Sequence, residues 1–293
     1  MKPSKGLIYF LLVSILQISF AYYGFQICYT PNILVEKDDR QILIPRNATV
    51  KDVQGILHTQ NIVQDLISFS FLSKLMNYDE HVKSGRYVLR KNMTNLEAIR
   101  LLRSGNQEPV KITFNNVRLI SELSEKITRN LAITPQEFEA ALIQFAANNP
   151  YGFTRENVIS MFIPNTYEVY YHTSPRELID RMHDEYEKFW NAERRAKAEK
   201  IGLTPIEVSV LASIVQAESV QKDEAPVIAG LYLNRLKKDM PLQADPTLVF
   251  AVGDFTLKRV LNEHLEIDSP YNTYRNTGLP AGPINMPEIR SLD

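Results

Sequence analysis

An acidic residue, Glu218, lies where an apolar one would be expected, in the stretch LASIVQAESV (residues 211–220). Val215 and Ile214 precede it at helical spacing, which puts the three side chains on one face of a helix. A carboxyl group on an apolar face either keeps its proton, with a raised pKa, or finds a partner. The first outcome suits a general acid. In the second, Glu218 turns to solvent or pairs with Lys222, and its position alone leaves both outcomes open.

Two stretches further along the chain carry side chains that suit a carbohydrate. They read LQADPTLVF (residues 242–250) and SPYNTYRNTGLPAGPI (residues 269–284), and both are predicted to be loops. Asn, Gln and Thr hydrogen-bond sugar hydroxyl and acetamido groups, while Tyr rings stack on sugar faces. Taken singly, each piece is equally compatible with turns fixed by proline and with tyrosines that fill a core. Together they predict a groove whose substrate contacts are Gln243, Asp245, Thr247, Tyr271, Asn272, Thr273 and Tyr274.

The helix that carries Glu218 has a well-marked start. Thr204 is followed by Pro205 and then by Glu207, a pattern that predicts a capping box with proline at the first helical position. A second helix is expected over residues 225–237, packing through Val227, Ile228, Leu231 and Leu236. We therefore expect a helical hairpin with the acid near its open end.

The rest of this half of the chain is predicted to be mixed helix and strand. The segment NQEPVKITFNNV alternates like a strand, and ISELSEKITRNL and TPQEFEAALIQFAAN have helical patterns. Turns are expected in IPNTYEVYYHTS, followed by one long helix from about Ser174 to Lys200 with a solvated charged face. The final segment, Asp268 to Asp293, favours ordered loop.

A smaller α+β module is expected over residues 41–108. It combines the strand-like ILIP with the helical stretches KDVQGILHTQNIV and ISFSFLSKLMNYD. Thr94 is a candidate cap for a further helix that stops at Gly105.

The amino-terminal segment predicts a membrane anchor. Residues 6–30 carry no charge, and about 20 apolar residues are enough to cross a bilayer. Lys2 and Lys5 favour a cytoplasmic amino terminus, so the chain after residue 30 should lie outside the cytoplasm. A cleaved signal peptide is the rival interpretation, but its apolar core is usually shorter and ends at a small-x-small site.

Composition excludes several classes of function. The 293 residues have a formal net charge of -1, which argues against a nucleic-acid-binding surface. One cysteine, Cys28, permits no intrachain disulfide and no cysteine-based zinc site. No cofactor is expected, and no metal, because the histidines match no metal-binding spacing; they are His58, His81, His172, His183 and His264.

The order of these motifs resembles one family over nearly the whole chain. IPNTYEVYY, LASIVQAES, LYLNRL, MPLQADPTLVFAVG and DSPYNTYRNTGLPAGPINMP together resemble the endolytic murein transglycosylases, the YceG-like family. The stretch SGRYVLRKNMTNLEAIRLLRSG resembles a LysM-like domain. The implied α+β fold has a cytoplasmic stub and transmembrane anchor (1–30), a LysM-like module (31–108) and a YceG-like catalytic domain (109–293). Because the family pattern continues past the final Ser-Leu, the resemblance implies a catalytic domain shortened at Asp293.

The resemblance also implies an activity and its site. Glu218 takes the place of the family's catalytic acid, which cleaves the bond between MurNAc and GlcNAc inside nascent peptidoglycan strands and leaves 1,6-anhydro-MurNAc ends. The implied setting is the inner membrane, beside the peptidoglycan synthases. If Asp245 acted as a base for water, the enzyme would be a hydrolase instead. The alternative from another class is a non-catalytic peptidoglycan-binding or scaffolding protein.

Overall fold

A computed structural model describes residues 4–33, 39–219 and 223–293, which form two compact units. The first unit contains the described residues up to 110 together with 170–172, and the second contains 111–169 and the described part of 173–293. Within these residues, helices dominate and are accompanied by two sheets of two strands each, so the predicted α+β class is confirmed. The division into anchor, LysM-like module and catalytic domain stays a prediction.

The first unit is built around one antiparallel strand pair. Its elements are α1 (Lys5–Tyr29), β1 (Arg40–Ile44), α2 (Val50–Thr59), α3 (Leu66–Leu75), a 3₁₀ turn (Tyr78–Glu80), β2 (Gly85–Leu89) and α4 (Asn95–Ser104). β1 and β2 pair from Arg40 opposite Leu89 to Ile44 opposite Gly85, and their alternate side chains enter the core. The predicted limits of α4 are confirmed: Thr94 and Glu97 form its capping box, and Gly105 ends it at φ 76°.

Helix α1 has 25 residues and therefore a length of about 37 Å. Its mean hydropathy is 1.7, and among the described residues it is the one continuous helix long and apolar enough to cross a membrane. Most of its side chains are exposed, but Ile27 in its last turns is buried in the core of the first unit. The carboxyl-terminal end of α1 thus packs as part of the first unit.

The second unit contains the remaining elements. They are β3 (Val110–Phe114), α5 (Ile120–Thr128), α6 (Pro135–Ala147), a 3₁₀ turn (Val158–Met161), β4 (Asn165–Val169), α7 (Pro175–Phe189), α8 (Ala192–Lys200), α9 (Pro205–Glu218), α10 (Ala225–Lys237), α11 (Asp245–Val252), α12 (Asn262–Leu265) and α13 (Ile289–Leu292). The strand predicted in NQEPVKITFNNV is confirmed as β3, which pairs with β4. The helical hairpin predicted around residues 204–237 is confirmed as α9 and α10.

Four predictions for the second unit are wrong. The single helix over 174–200 is two helices, because the chain bends where Trp190 is buried and the Asn191 side chain caps α8 by accepting a hydrogen bond from the Arg194 amide (3.1 Å). The stretch predicted as turns contains β4, since Tyr167 and Val169 alternate into the core. LQADPTLVF is also not a loop throughout.

Helix α11 begins at Asp245 in that stretch, with Pro246 at a position where the missing amide hydrogen costs nothing. The packing face predicted for α10 also needs correction. Ile228 and Leu236 do pack on the core, but Val227 and Leu231 are exposed, and Tyr232 is buried in their place. Because Tyr232 carries a polar hydroxyl, the pattern of apolar residues alone does not predict that its side chain is buried.

Candidate active site

The candidate acid stands at the very end of α9. At the helix start, the Thr204 amide donates to the Glu207 carboxylate (2.7 Å) and the Thr204 hydroxyl accepts from the Glu207 amide (3.3 Å). At the other end, the Ser219 hydroxyl donates to the Val215 carbonyl (2.7 Å) and the chain becomes extended. Glu218 is therefore the last helical residue, which agrees with its predicted place near the open end of the hairpin.

Glu218 is exposed, whereas the apolar face of α9 is buried only as far as Val215. Glu218 thus lies at the end of the apolar face and not within it. The helix stops at Glu218, so no further turn of α9 packs over its side chain. Protein atoms still crowd its carboxyl group. This burial, and to a lesser extent the charge of Asp245, raises the pKa of Glu218 above its ordinary value. The alternative pairing with Lys222 lies outside the described residues.

A cleft of about 760 Å³ opens beside Glu218, within the second unit. Asp245, at the first turn of α11, lines the same cleft, so two carboxyl groups from different helices share it. Cationic side chains also line it: Arg118, Lys258 and Arg259. An open cleft with acids and cations suits a large, polar and anionic substrate better than a small apolar one.

Two tyrosines, Tyr274 and Tyr232, lie close to the two carboxyl groups. The Tyr274 hydroxyl donates a short hydrogen bond to Asp245 Oδ1 (2.5 Å), and burial with this bond raises the pKa of Tyr274 to about 12. Burial, with the charge of Glu218 as a smaller cause, raises the pKa of Tyr232 to about 12. Both phenols therefore keep their protons to a higher pH than an ordinary tyrosine does. Tyr274 was predicted from the sequence as a site residue, and Tyr232 was not.

The remaining predicted contacts divide into two groups. Thr247, Asn272 and Thr273 are buried: the Thr273 hydroxyl accepts from the Ala244 amide (3.0 Å) and pairs with the Thr247 hydroxyl (2.8 Å). The Asn272 amide group donates to two carbonyls in its own loop, those of Leu265 and Ile267. These side chains are occupied in joining the loop to the start of α11, so a positioning role fits them better than direct substrate contact.

The other group is more accessible. Gln243 is exposed and its backbone is in a left-handed conformation (φ 54°). Its backbone amide donates to the Thr273 carbonyl (3.0 Å). Tyr271 is half-buried, and its hydroxyl donates to the Glu156 carbonyl (3.2 Å). Tyr271 lines a neighbouring cleft of about 320 Å³, which shares Arg118 and Phe250 with the larger one. Neither Gln243 nor Tyr271 lines the cleft that holds Glu218.

The carboxyl-terminal segment is hydrogen-bonded to the end of α9, where Gln216 and Asn285 also line the cleft, and the sequence analysis missed this feature. Gln216 accepts from the Glu288 amide (2.7 Å) and the Ser291 hydroxyl (3.1 Å), and it donates to Asn285 (3.3 Å). One turn earlier, the Ser213 hydroxyl accepts from the Ile284 amide (3.0 Å). The available signal in the sequence was the presence of two polar residues, Ser213 and Gln216, on the largely apolar helix that carries Glu218. Within the described residues, no group of three His, Cys, Asp or Glu could hold a metal ion.

The family model described as the YceG-like family matches residues 42–293. The chain belongs to this family. It is 26% identical over 305 residues to the endolytic murein transglycosylase of Streptococcus pneumoniae serotype 2 strain D39, covering 93% of this chain and 55% of that protein. It is 29% identical over 270 residues to the protein of the same name in Bacillus subtilis strain 168, covering 85% and 74%.

A YceG-like protein from Listeria monocytogenes has a similar solved structure. The TM-score is 0.52 at 25% identity, over 88% of this chain and 89% of that one. The chain therefore spans about half the length of the pneumococcal relative but most of the length of the solved structure. For this YceG-like chain, the family resemblance inferred from its motifs is confirmed.

Proposed function

We propose that this YceG-like chain is a lytic transglycosylase that cuts glycan strands of peptidoglycan, with Glu218 as its catalytic acid and base. The observation that carries the proposal is a carboxyl group of raised pKa at the edge of a large cleft that it shares with a second carboxyl. The names of the relatives, endolytic murein transglycosylases, support the same reaction. A purely binding or scaffolding role is not favoured, because binding requires no carboxyl group of raised pKa.

One carboxyl group is sufficient for this reaction. Protonated Glu218 donates its proton to the glycosidic oxygen between MurNAc and GlcNAc as the bond from that oxygen to the MurNAc anomeric carbon breaks. The resulting carboxylate then takes the proton of the MurNAc C6 hydroxyl, whose oxygen bonds to the anomeric carbon. The products are a 1,6-anhydro-MurNAc end and a new GlcNAc end. No water is consumed, and the acid regains its proton.

Asp245 has a supporting role in this proposal. Its charge raises the pKa of Glu218, which favours the protonated form needed in the first step. A carboxylate in the cleft also stabilises the positive charge that develops at the anomeric carbon. The bond from Tyr274 holds Asp245 in place, so the tyrosine is a positioning residue. A hydrolase would instead use Asp245 as a base for water.

The products distinguish these reactions. Uncrosslinked glycan strands are incubated with the full chain and with Glu218→Gln, and the strand ends are identified by mass spectrometry. We expect anhydro ends from the unsubstituted protein and a rate lower by about 10²–10⁴ in the variant. Glu125→Gln is the matched control, since Glu125 is an exposed residue on α5. Reducing ends would establish a hydrolase, and no cleavage by the folded full chain would refute both.

We further infer that α1 anchors the protein in the inner membrane as a single span. Its length and hydropathy support this inference, and Lys2 and Lys5 favour a cytoplasmic amino terminus. The substrate would then be nascent strands near the membrane, beside the synthases that make them, and the first unit would be a LysM-like glycan-binding module. Resistance to alkaline extraction, with protease sensitivity only from the outer face, is the expected result.

A further inference from the structure

Helix α3 in the first unit is apolar on two opposite sides. Phe69 and Leu72 are buried in the core of the unit. Ile67, Phe71 and Leu75 follow at intervals of four residues and are 79%, 58% and 68% exposed, so they form one stripe on the outside of the helix. We call these three residues the outer stripe. A helix with apolar side chains on two opposite sides is normally covered on both of them, by protein or by lipid.

The start of α3 is joined to the end of α1 by buried polar contacts. The Asn32 side chain accepts from the Asp65 amide (2.7 Å) and donates to the Asp65 carbonyl (2.9 Å), and Asp65 is the cap of α3. The Asn95 side chain donates to the Ile27 carbonyl in α1 (3.0 Å) and accepts from Asn32 (2.6 Å). Both asparagines are buried, so breaking these bonds would leave polar groups unpaired away from water.

This joint places α3 beside the end of the proposed span. Asn32 follows the last residue of α1, Tyr29, by three positions, and Ile27 shares a core with Phe69. Tyr29 and Phe25 are exposed with ring centroids 5.2 Å apart, and aromatic side chains of this kind favour the layer between lipid tails and water. On the proposed anchoring, the bilayer around α1 is therefore close to the start of α3.

We propose that the outer stripe of α3 rests in the interfacial layer of the membrane that α1 crosses. Lys74 is exposed on the same helix, next to Leu75, where its ammonium group would reach anionic lipid headgroups. The first unit then has two membrane contacts, the span and the stripe, joined by the Asn32–Asn95 bonds. Two contacts restrict its rotation about the axis of α1, which one contact would not. The proposal rests on the proposed anchoring of α1 but not on the proposed activity.

Tryptophan fluorescence tests the contact. The full chain carrying Phe71→Trp is reconstituted in vesicles of phosphatidylcholine and phosphatidylglycerol, with lipids brominated near the headgroup as quenchers. The control is Leu43→Trp, since Leu43 is an apolar residue of the same unit that is 45% exposed on β1. The unsubstituted protein supplies the background of the buried Trp190. We expect quenching of about twofold or more at position 71 and little at position 43.

Other outcomes overturn the proposal. No quenching at position 71 would show that the stripe faces water, and equal quenching at both positions would show unspecific adsorption. Quenching that falls as the protein-to-lipid ratio rises would indicate that a second copy covers the stripe. Ile67→Ser with Leu75→Ser, added to Phe71→Trp, should reduce quenching while the protein still resists alkaline extraction. Loss of that resistance in the unsubstituted chain would instead refute the anchor.

Discussion

Gln216 offers the sharpest test of how the candidate acid is positioned. Gln216→Leu keeps the approximate size of the side chain but removes three hydrogen bonds, to the Glu288 amide, the Ser291 hydroxyl and the Asn285 side chain. At about 0.5–1.5 kcal/mol for each bond, the free energy of unfolding should fall by about 1.5–4.5 kcal/mol. Glu288 is exposed and water can replace its partner, whereas Asn285 is buried. The lower half of this range is therefore expected.

Urea denaturation of the full chain measures the loss, and Gln136→Leu is the matched control because Gln136 is exposed on α6. The control should stay within about 0.5 kcal/mol of the unsubstituted protein. In the strand-cleavage assay, Gln216→Leu should lower kcat more than it raises KM, because the end of α9 is no longer held in place. Equal stability of the two variants, or a change in KM alone, would refute the positioning role.

Three further substitutions test the cleft and its support. Asp245→Asn removes a charge that raises the pKa of Glu218, so the pH at which activity falls on the alkaline side should move to lower pH; an unmoved limb in the pH–rate profile would show that Asp245 does not act on the acid. Gly282→Ala should lower the free energy of unfolding by about 1–3 kcal/mol, since the added carbon would overlap a backbone carbonyl, and thermal unfolding would detect this loss. Lys258→Gln should raise KM for peptide-bearing strands and weaken the dependence of KM on salt concentration. If KM depends on salt in the same way in the variant and the unsubstituted protein, Lys258 does not bind the substrate.

Local signals predicted the elements that carry the site. Thr204, Pro205 and Glu207 marked the start of α9, and the structure places a capping box there. Capping depends on residues within one turn, so it can be read from the chain directly. Asn191 is a local cap of this kind that was overlooked at the break between α7 and α8, whereas the burial of Trp190 there is decided only by the folded structure. The same reason explains why Val227 and Leu231 were wrongly assigned to the packing face.

The site itself was predicted in part. Glu218 and Asp245 line one cleft, and Tyr274 is hydrogen-bonded to Asp245. The sequence contained no signal for which polar residues would be buried, because a threonine in a loop can face substrate or backbone equally well. Folding placed Thr247 and Thr273 against each other, so that one hydrogen bond joins their hydroxyls and Ala244 provides the other partner of each. The contacts of Gln216 with the last ten residues likewise join positions that are far apart in the chain.

The sequence by itself determined the family, the apolar helix at the amino terminus and the identity of the candidate acid, because motif order, hydropathy and helical spacing are properties of the chain. The tertiary structure alone decided that Glu218 lies at the exposed end of its helix, that Asp245 is close enough to affect its pKa, and that the start of α3 is bonded to Asn32, three residues after the end of α1. Burial and charge interactions depend on distances through space, and those distances exist only once the chain has folded.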